Sequence, residues 1–583
     1  MQNPWLVIKL GGTSVSSRQY WNNVVTRLRD ARENARHVIV VHSALAGVTN
    51  LLERLAGESD RTRQANLVQD LVARHEKLAL ELDIRIPEEF RDQVGSLEAF
   101  LAEGPAISPE RRAHALGYGE YLLSPLAHSF LESQHIPVNT IDARTMLRAQ
   151  SQPGQHPSRH FLSARCEHSR DEALSERLAQ AGPVILTQGF VASDADGAAV
   201  LLGRGGSDTS AACLAAKIGA AELEIWTDVP GLFTADPHRL PTARLLKQLT
   251  YDEALEIAAS GARALHPRCI RAVQETRIPL TIRYTCDPGL HGTRIHAGAS
   301  EPDGRLKAVC ARSGITTLTL ETADMWQQAG FLADVFACFK RHQLSVDMIS
   351  TSETNITLTL DAADNPMAGE RVTAIQAELE TFGTVTRTEG CTAISLVGHR
   401  IRANLHRIAP LLEIFADHRV HLLSQASNDL NMTFVVDEKD APRLLSQLHA
   451  VLVNALREDT IFGPSWHALH SQRTSVAPSP PWWRLDRHRL IELAAQYSPC
   501  YVYDPETIKD RINSLKNMSM PRRIFYAIKA NCHPDVLRLV HECEIGFECV
   551  SLPEVAHVLN LFPDIERQRI LFTPNFAPRG EYE

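Results

Sequence analysis

Five near-continuous apolar runs punctuate the first ~300 residues: "WLVIKL" (5–10), "HVIVVHS" (37–43), "PVILTQGFVA" (183–192), "AAELEIWTDV" (220–229) and "IPLTIRY" (278–284). Runs without polar alternation are characteristic of parallel strands covered on both faces. Helical periodicity fills the stretches between them, as at 19–35 and 209–218. That alternation predicts an α/β layered domain over residues 1–298.

From about residue 305 the pattern changes and repeats. "SVDMIS" (345–350) followed by "NITLTLD" (355–361) is answered by "VHLLSQ" (420–425) followed by "NMTFVVD" (431–437), an offset of roughly 75 residues. That period suits two small tandem domains rather than a solenoid. The first copy reads strand, helix (330–342), strand (344–350), strand (355–361), helix (368–381), and such a unit needs another strand to complete its sheet. Pairing of the two copies would supply one. The boundaries are 305–388 and 389–470.

"SQRTSVAPSPPWW" marks a linker at 471–483, since its prolines, serines and threonine carry no periodicity. Beyond it a new α/β unit starts, residues 484–583. "CYVYD" (500–504), "RIFYAIKA" (523–530) and "IGFECVS" (545–551) are its expected strands, with helices at 505–517 and 534–543.

Composition narrows the function classes. The net charge of −9 argues against non-specific binding to nucleic acid or to an anionic membrane surface. The eleven cysteines are dispersed, with no C-x-x-C pair, as expected of thiols in a reducing compartment. The N-terminus lacks the basic and apolar regions of a signal peptide, and no apolar run nears the ~20 residues of a membrane span. A cytoplasmic protein is the expectation.

Chemistry concentrates at strand-to-helix turns. "KLGGTSV" (9–15) follows a strand, so backbone N–H groups and a helix N-terminus could meet an anion beside Lys9. It is not a Walker A loop, and alone it equally suits a tight turn with a solvated lysine. "LLGRGGSDTSAACLAA" (201–216) opens a second helix with glycines, Arg204, Ser207 and Asp208, where Asp208 could simply cap the helix. "SALAGVTNLL" (43–52), "GYGEYLLS" (117–124) and "WTDVPGLFTADP" (226–237) complete the set.

In order and spacing these motifs, with "YDEALEIAASGARALHP" (251–267), resemble the aspartate kinase family over residues 5 to about 465. The resemblance implies an amino-acid-kinase αβα sandwich that moves the γ-phosphoryl of ATP onto the β-carboxylate of L-aspartate. It implies Lys9 and Asp208 at the reaction centre, with Lys9 stabilising the transferring phosphoryl and Gly11 and Gly12 donating N–H groups. Arg204 would clamp the α-carboxylate, Glu120 and Asp208 would take the α-ammonium, and Thr49 and Ser207 would hydrogen-bond the substrate. Thr227 and Asp228 would line the ATP site, with Mg²⁺ bridging the phosphates and no metal ligand from the protein. Two further ATP-site positions, Phe233 and Arg263, depart from the family pattern: Arg263 replaces a common lysine, and Phe233 stands in the nucleotide loop where an aromatic hydroxyl is frequent. A catalytically silent sensor and a kinase for glutamate or acetylglutamate are the rival readings.

The tandem repeats resemble ACT domains (βαββαβ), the amino-acid sensors of aspartate kinases. "MWQQAGFLADVF" (325–336) and "SVDMISTSE" (345–353) are closest to the lysine-sensitive members. Met325, Gly330, Phe331 and Leu332 would surround an effector carboxylate at a helix start, with Asp347, Ser352 and Glu353 nearby and Asp347 meeting its ammonium. L-Lysine is the implied feedback inhibitor, threonine the alternative, and a homodimer through the ACT pair the implied assembly.

"YAIKAN" (526–531), after "PCYVYD" and before "GFECVSLPEV", resembles the start of a fold-type III decarboxylase, a pyridoxal-phosphate-binding (β/α)₈ barrel. Diaminopimelate decarboxylase is the nearest match and the ornithine/arginine type the alternative. Lys529 would form the Schiff base, with Glu548 near the cofactor. A barrel takes ~250 residues, so the tail is expected to be incomplete and without decarboxylase activity.

Overall fold

The computed structural model describes residues 5–34, 36–151, 154–262, 264–298, 305–363, 365, 369–402, 412–454, 460–471, 487–516, 523–574 and 578–582. The chain divides into two compact units, Met1–Gln472 and Arg473–Glu583.

Among the described residues, eleven strands belong to the first ~300 positions: β1 (Trp5–Leu10), β2 (His37–His42), β3 (Val138–Thr140), β4 (Val184–Gln188), β5 (Val191–Ser193), β6 (Ala199–Leu201), β7 (Glu222–Thr227), β8 (Arg244–Leu246), β9 (Gln248–Thr250), β10 (Leu280–Tyr284) and β11 (Arg294–His296). Eight form one sheet in the order β3-β4-β2-β1-β7-β10-β11-β9, parallel except where β10 meets β11. The expected run 183–192 breaks into β4 and β5 because Phe190 takes a left-handed φ of 68°, which turns the chain out of the sheet.

Alternate side chains serve opposite faces of this sheet, the period-2 rule of strands. Leu6, Ile8 and Leu10 join Val38, Val40 and Leu186 under helices Arg18–Glu33 and Pro109–Ser133. Val7 joins Ile39, Ile185 and Ile225 under helices Gly206–Ile218 and Pro267–Thr276. Both faces are therefore dry, which is why the strands carry no polar alternation.

β12 (Leu306–Glu321), β13 (Ile349–Thr351), β14 (Asn355–Asp361), β15 (Thr384–Gly398), β16 (Val420–Gln425) and β17 (Asn431–Asp437) form a second, antiparallel sheet in the order β13-β14-β12-β15-β17-β16. The repeats do complete one another. β15 begins as the last strand of the first repeat and continues as the first strand of the second, so the expected boundary at 388/389 falls inside one strand. Register shifts along β12 around residues 313–317 bend the shared strands, where Gly314 and Gly390 adopt φ of 79° and 66°. The expected strand 344–350 shrinks to β13. β18 (Phe462–Ser465) then leaves this sheet and pairs with β8.

The second unit holds a parallel sheet, β19 (Phe525–Ala527), β20 (Gly546–Cys549) and β21 (Ile570–Phe572) in that order. Helices Pro505–Lys516, Pro534–Glu542 and Leu552–Leu561 accompany it, over a core of Ile528, Leu537, Phe547 and Val558. The segment 500–504 is not a strand, a correction to its sequence reading: among the described residues it pairs with no other segment, and Tyr501 is 91% exposed. All of the linker 471–483 after Ser471 lies outside the described residues. Among the described residues, no helix is long and apolar enough to cross a membrane.

Candidate active site

Lys9 is the penultimate residue of the central strand β1, and its Nζ lies 2.6 Å from Asp208 Oδ1. Asp208 sits in the first turn of helix Gly206–Ile218 but does not cap it. The cap is Gly205, at φ 64°, with no side-chain hydrogen bond. A Cβ at Gly205 would stand 2.4 Å from His266 Cβ, so both the backbone angle and the space demand glycine. The carboxylate is thus left for Lys9, and both residues are buried.

Glu120 approaches from helix Pro109–Ser133. Its Oε1 accepts the Ala44 N–H at 3.1 Å, whereas Oε2 is buried with no partner among the described residues. Burial pushes this carboxyl up to about 8, against the downward pull of the Ala44 N–H and of Lys9. Behind it, Ser124 Oγ donates to the Glu120 carbonyl (3.1 Å), accepts from Gln188 Nε2 (2.8 Å) and meets His42 Nε2 at 2.9 Å. Burial holds His42 down at about 4, so the imidazole stays neutral.

Lys9, Thr49, Glu120, Arg204, Ser207 and Asp208 line one cavity of about 700 Å³. Arg204 is exposed at its mouth, with no partner for its guanidinium among the described residues. A buried carboxylate oxygen, a lysine, and a free guanidinium facing one space suit a small molecule bearing both an ammonium and carboxylates.

Thr227 ends β7, one residue past the register pair Leu10–Trp226, so Thr227 and Asp228 flank the Gly11–Gly12 turn. Gly11 is not free to hold an anion, because its N–H donates to the Trp226 carbonyl at 3.0 Å. Gly12 keeps its N–H unpaired among the described residues, and a Cβ there would strike the Ala44 carbonyl at 2.9 Å. Phe233 is not brought to the cavity: its ring is buried with Ala243, Leu245 and Leu469 and meets Trp466 edge-on. Without a hydroxyl it packs as an apolar ring. Arg263 lies outside the described residues.

In the first ACT repeat, Gly330 (φ 90°) opens helix Phe331–Arg341. Phe331 turns into the core with Leu318 and Leu358, Met325 packs against that core, and Leu332 is 42% exposed. Ser352 and Glu353 are exposed on the turn between β13 and β14. Asp347 departs from its expected role of meeting an effector's ammonium, since Arg312 already pairs with it and also reaches Asp361 at 3.2 Å. In the second unit Lys529 is exposed in a short turn just past β19, and Ala527 pairs in register with Glu548, which accepts from Thr573 Oγ1 at 2.5 Å.

Sequence reasoning missed the Ala44 N–H, a backbone donor that no side-chain motif announces. It also missed Arg112, which pairs with Glu53 at the cavity rim. His42 carried a signal, a polar residue closing an apolar strand.

Fold and cleft define an amino-acid kinase carrying paired ACT modules. Residues 4–284 match the amino acid kinase family, residues 318–374 an ACT domain, and residues 506–581 the pyridoxal-binding domain of pyridoxal-dependent decarboxylases. The chain is 30% identical over 463 residues to lysine-sensitive aspartokinase 3 of Escherichia coli (strain K12), covering 77% of this chain and 99% of that one. The crystal structure of E. coli aspartokinase III with aspartate and ADP (R-state) superposes with a TM-score of 0.67 at 28% identity, over 77% of this chain and 99% of that one. Its complex with lysine and aspartate (T-state) gives 0.61 at 28%, over 77% and 100%. The chain belongs to the aspartokinase family.

Proposed function

We propose that residues 1–298 phosphorylate the β-carboxylate of L-aspartate with MgATP to give 4-phospho-L-aspartate, under feedback inhibition by L-lysine. The observation that carries this is the unpartnered Oε2 of Glu120, buried in the same cavity as the Lys9–Asp208 pair and Arg204. The aspartate ammonium enters between Glu120 and Asp208, and its α-carboxylate meets the Arg204 fork. Thr49 and Ser207 hold the remaining polar atoms. The β-carboxylate, already ionised at neutral pH, needs no base. One of its oxygens forms the new bond to the γ-phosphorus as the bond to the β-phosphate oxygen breaks, and ADP carries away the electron pair.

Positioning and charge neutralisation therefore dominate the catalysis. Lys9, with Asp208 fixing its direction, neutralises the transferring phosphoryl. Gly12 donates its N–H to the phosphate, a part that Gly11 does not share. Thr227 and Asp228 hold MgATP, with the backbone around Phe233 beside the nucleotide.

The lysine reading is supported by the family and by the turn at Gly330–Leu332, where Gly330 and Leu332 are exposed and the first-turn N–H groups suit a carboxylate. Because Arg312 occupies Asp347, the effector's ammonium must share or displace that guanidinium. Threonine is the alternative effector, and a homodimer through the ACT sheet is the assembly proposed.

In the second unit, the exposed Lys529 at the carboxyl end of a parallel strand fits a residue that would hold pyridoxal phosphate, with Glu548 on the neighbouring strand. When bound, the group supplies an electron sink for loss of a carboxylate. Meso-diaminopimelate is the proposed substrate class, which would put both ends of lysine synthesis in one polypeptide.

The test is ATP-dependent trapping of acyl phosphate with hydroxylamine. Aspartate is expected to give product, glutamate none, and L-lysine is expected to suppress it. Product with glutamate but not aspartate would overturn the substrate; suppression by threonine alone would overturn the effector.

A further inference from the structure

The segment after helix Ala441–Asn454 returns to the kinase fold and grips one hairpin. That hairpin, residues 232–246, begins four residues beyond Asp228. It is closed by Thr234 N–H to the Arg244 carbonyl (2.9 Å) and Leu246 N–H to the Leu232 carbonyl (2.8 Å). β18 pairs antiparallel with its outer arm, Phe462 opposite Leu246 and Ser465 opposite Arg244. The contact continues on both sides. Lys247 N–H donates to the Ile461 carbonyl (2.7 Å), Trp466 N–H to Ala243 (2.8 Å) and His467 N–H to Pro241 (2.9 Å). Arg244 Nε adds a bond to the Gly463 carbonyl at 2.9 Å.

Side chains lock the register. The Trp466 ring meets Phe233 edge-on at 5.5 Å and His238 at 5.3 Å, and Leu469 closes the cluster around Ala243 and Leu245. Gly463 lies so close that a Cβ there would stand 3.3 Å from Leu245 Cβ. The same hairpin is tethered to the ACT sheet, where Val309 N–H donates to the Thr234 carbonyl (2.8 Å), and to the neutral His449, whose Nε2 lies 2.9 Å from Thr234 Oγ1. Three elements of the regulatory half, residues 461–469, β12 and helix Ala441–Asn454, thus hold the loop that follows Thr227 and Asp228.

We propose that residues 461–469 are a strap that sets the nucleotide hairpin, with Trp466 as a positioning residue for MgATP acting through Phe233. The inference rests on the nucleotide reading of Thr227 and Asp228 and extends it. It assigns a purpose to Phe233: its ring is the seat of the strap. None of residues 461–469 lines the cavity that holds Glu120 and Arg204, so the two substrates should respond differently.

Steady-state kinetics of the full chain test this. Trp466→Ala should raise KM for MgATP about three- to tenfold, the range of an edge-to-face aromatic contact, and leave KM for aspartate and kcat unmoved. Trp466→Phe, which keeps a ring on Phe233, should restore KM. Phe233→Ala should match Trp466→Ala, and the double variant should be no worse than either single one, because both remove the same contact. If Trp466→Ala does not accumulate folded, Trp466→Leu is measured in its place with the same expectation. A lower melting temperature with KM for MgATP unchanged would overturn the proposal, as would equal rises for both substrates. Asp228→Ala separates the two levels. If it too leaves KM for MgATP unchanged, the nucleotide reading fails; if it raises KM while Trp466→Ala does not, the strap alone fails.

Discussion

Glu120 shows how much one residue's setting decides. A glutamate in "GYGEYLLS" is legible as a candidate, but its lowered acidity depends on burial, which only the fold supplies. With its carboxyl pushed up to about 8, the ligand-free site is mostly protonated at neutral pH. Taking an ammonium requires the carboxylate, so binding releases a proton. KM for aspartate should therefore fall about tenfold per unit as pH rises from 6 toward 8, then level off. Glu120→Gln should bind weakly with no such slope. A flat profile in the unsubstituted enzyme would contradict the assignment. Gly11 makes the opposite point: its N–H looks available in "KLGG", yet the neighbouring strand claims it.

Among elements, the parallel strands were readable because both faces are buried, and the helices because their periodicity is strong. Two shorter runs were not. Residues 344–350 yield only β13, although Asp347 N–H and the Met348 carbonyl also bond Thr359 of β14, and 500–504 yield no strand, because β propensity expresses a fit to neighbours rather than a backbone preference. Pairs across the kinase–ACT boundary carry no local signal either. Glu253, fully buried at the start of helix Tyr251–Ala259, meets Lys307 of β12 at 2.5 Å and His399 at 3.3 Å. One turn on, Glu256 accepts from Asn428 (2.7 Å) and Asn431. Lys307→Ala leaves the Glu253 carboxylate with the Thr250 N–H and the more distant His399 imidazole but without its ammonium, and should cost about 3 kcal/mol or more. Urea denaturation should show a lower midpoint, with Lys307→Arg close to unsubstituted protein. An unchanged midpoint would show the pair to be dispensable.

At the scale of the whole molecule, an amino-acid kinase and the pyridoxal-binding domain of a decarboxylase family share one chain, and both resemblances were recognisable from motif order. What was not recognisable is how the repeats share β12 and β15, since a strand that serves two modules looks in sequence like the end of one and the start of another. The second unit makes its own prediction. After incubation with pyridoxal phosphate and reduction with borohydride, the cofactor should be retained on Lys529, and Lys529→Ala should retain none there; labelling spread evenly over surface lysines would contradict a dedicated site. The first unit's claim is more central, and the rate of aspartyl phosphate formation by Lys9→Ala beside the unsubstituted enzyme tests it most directly. The account predicts a loss of about 10²–10³-fold in kcat, with the protein still folded. A normal rate would place the chemistry elsewhere in the molecule.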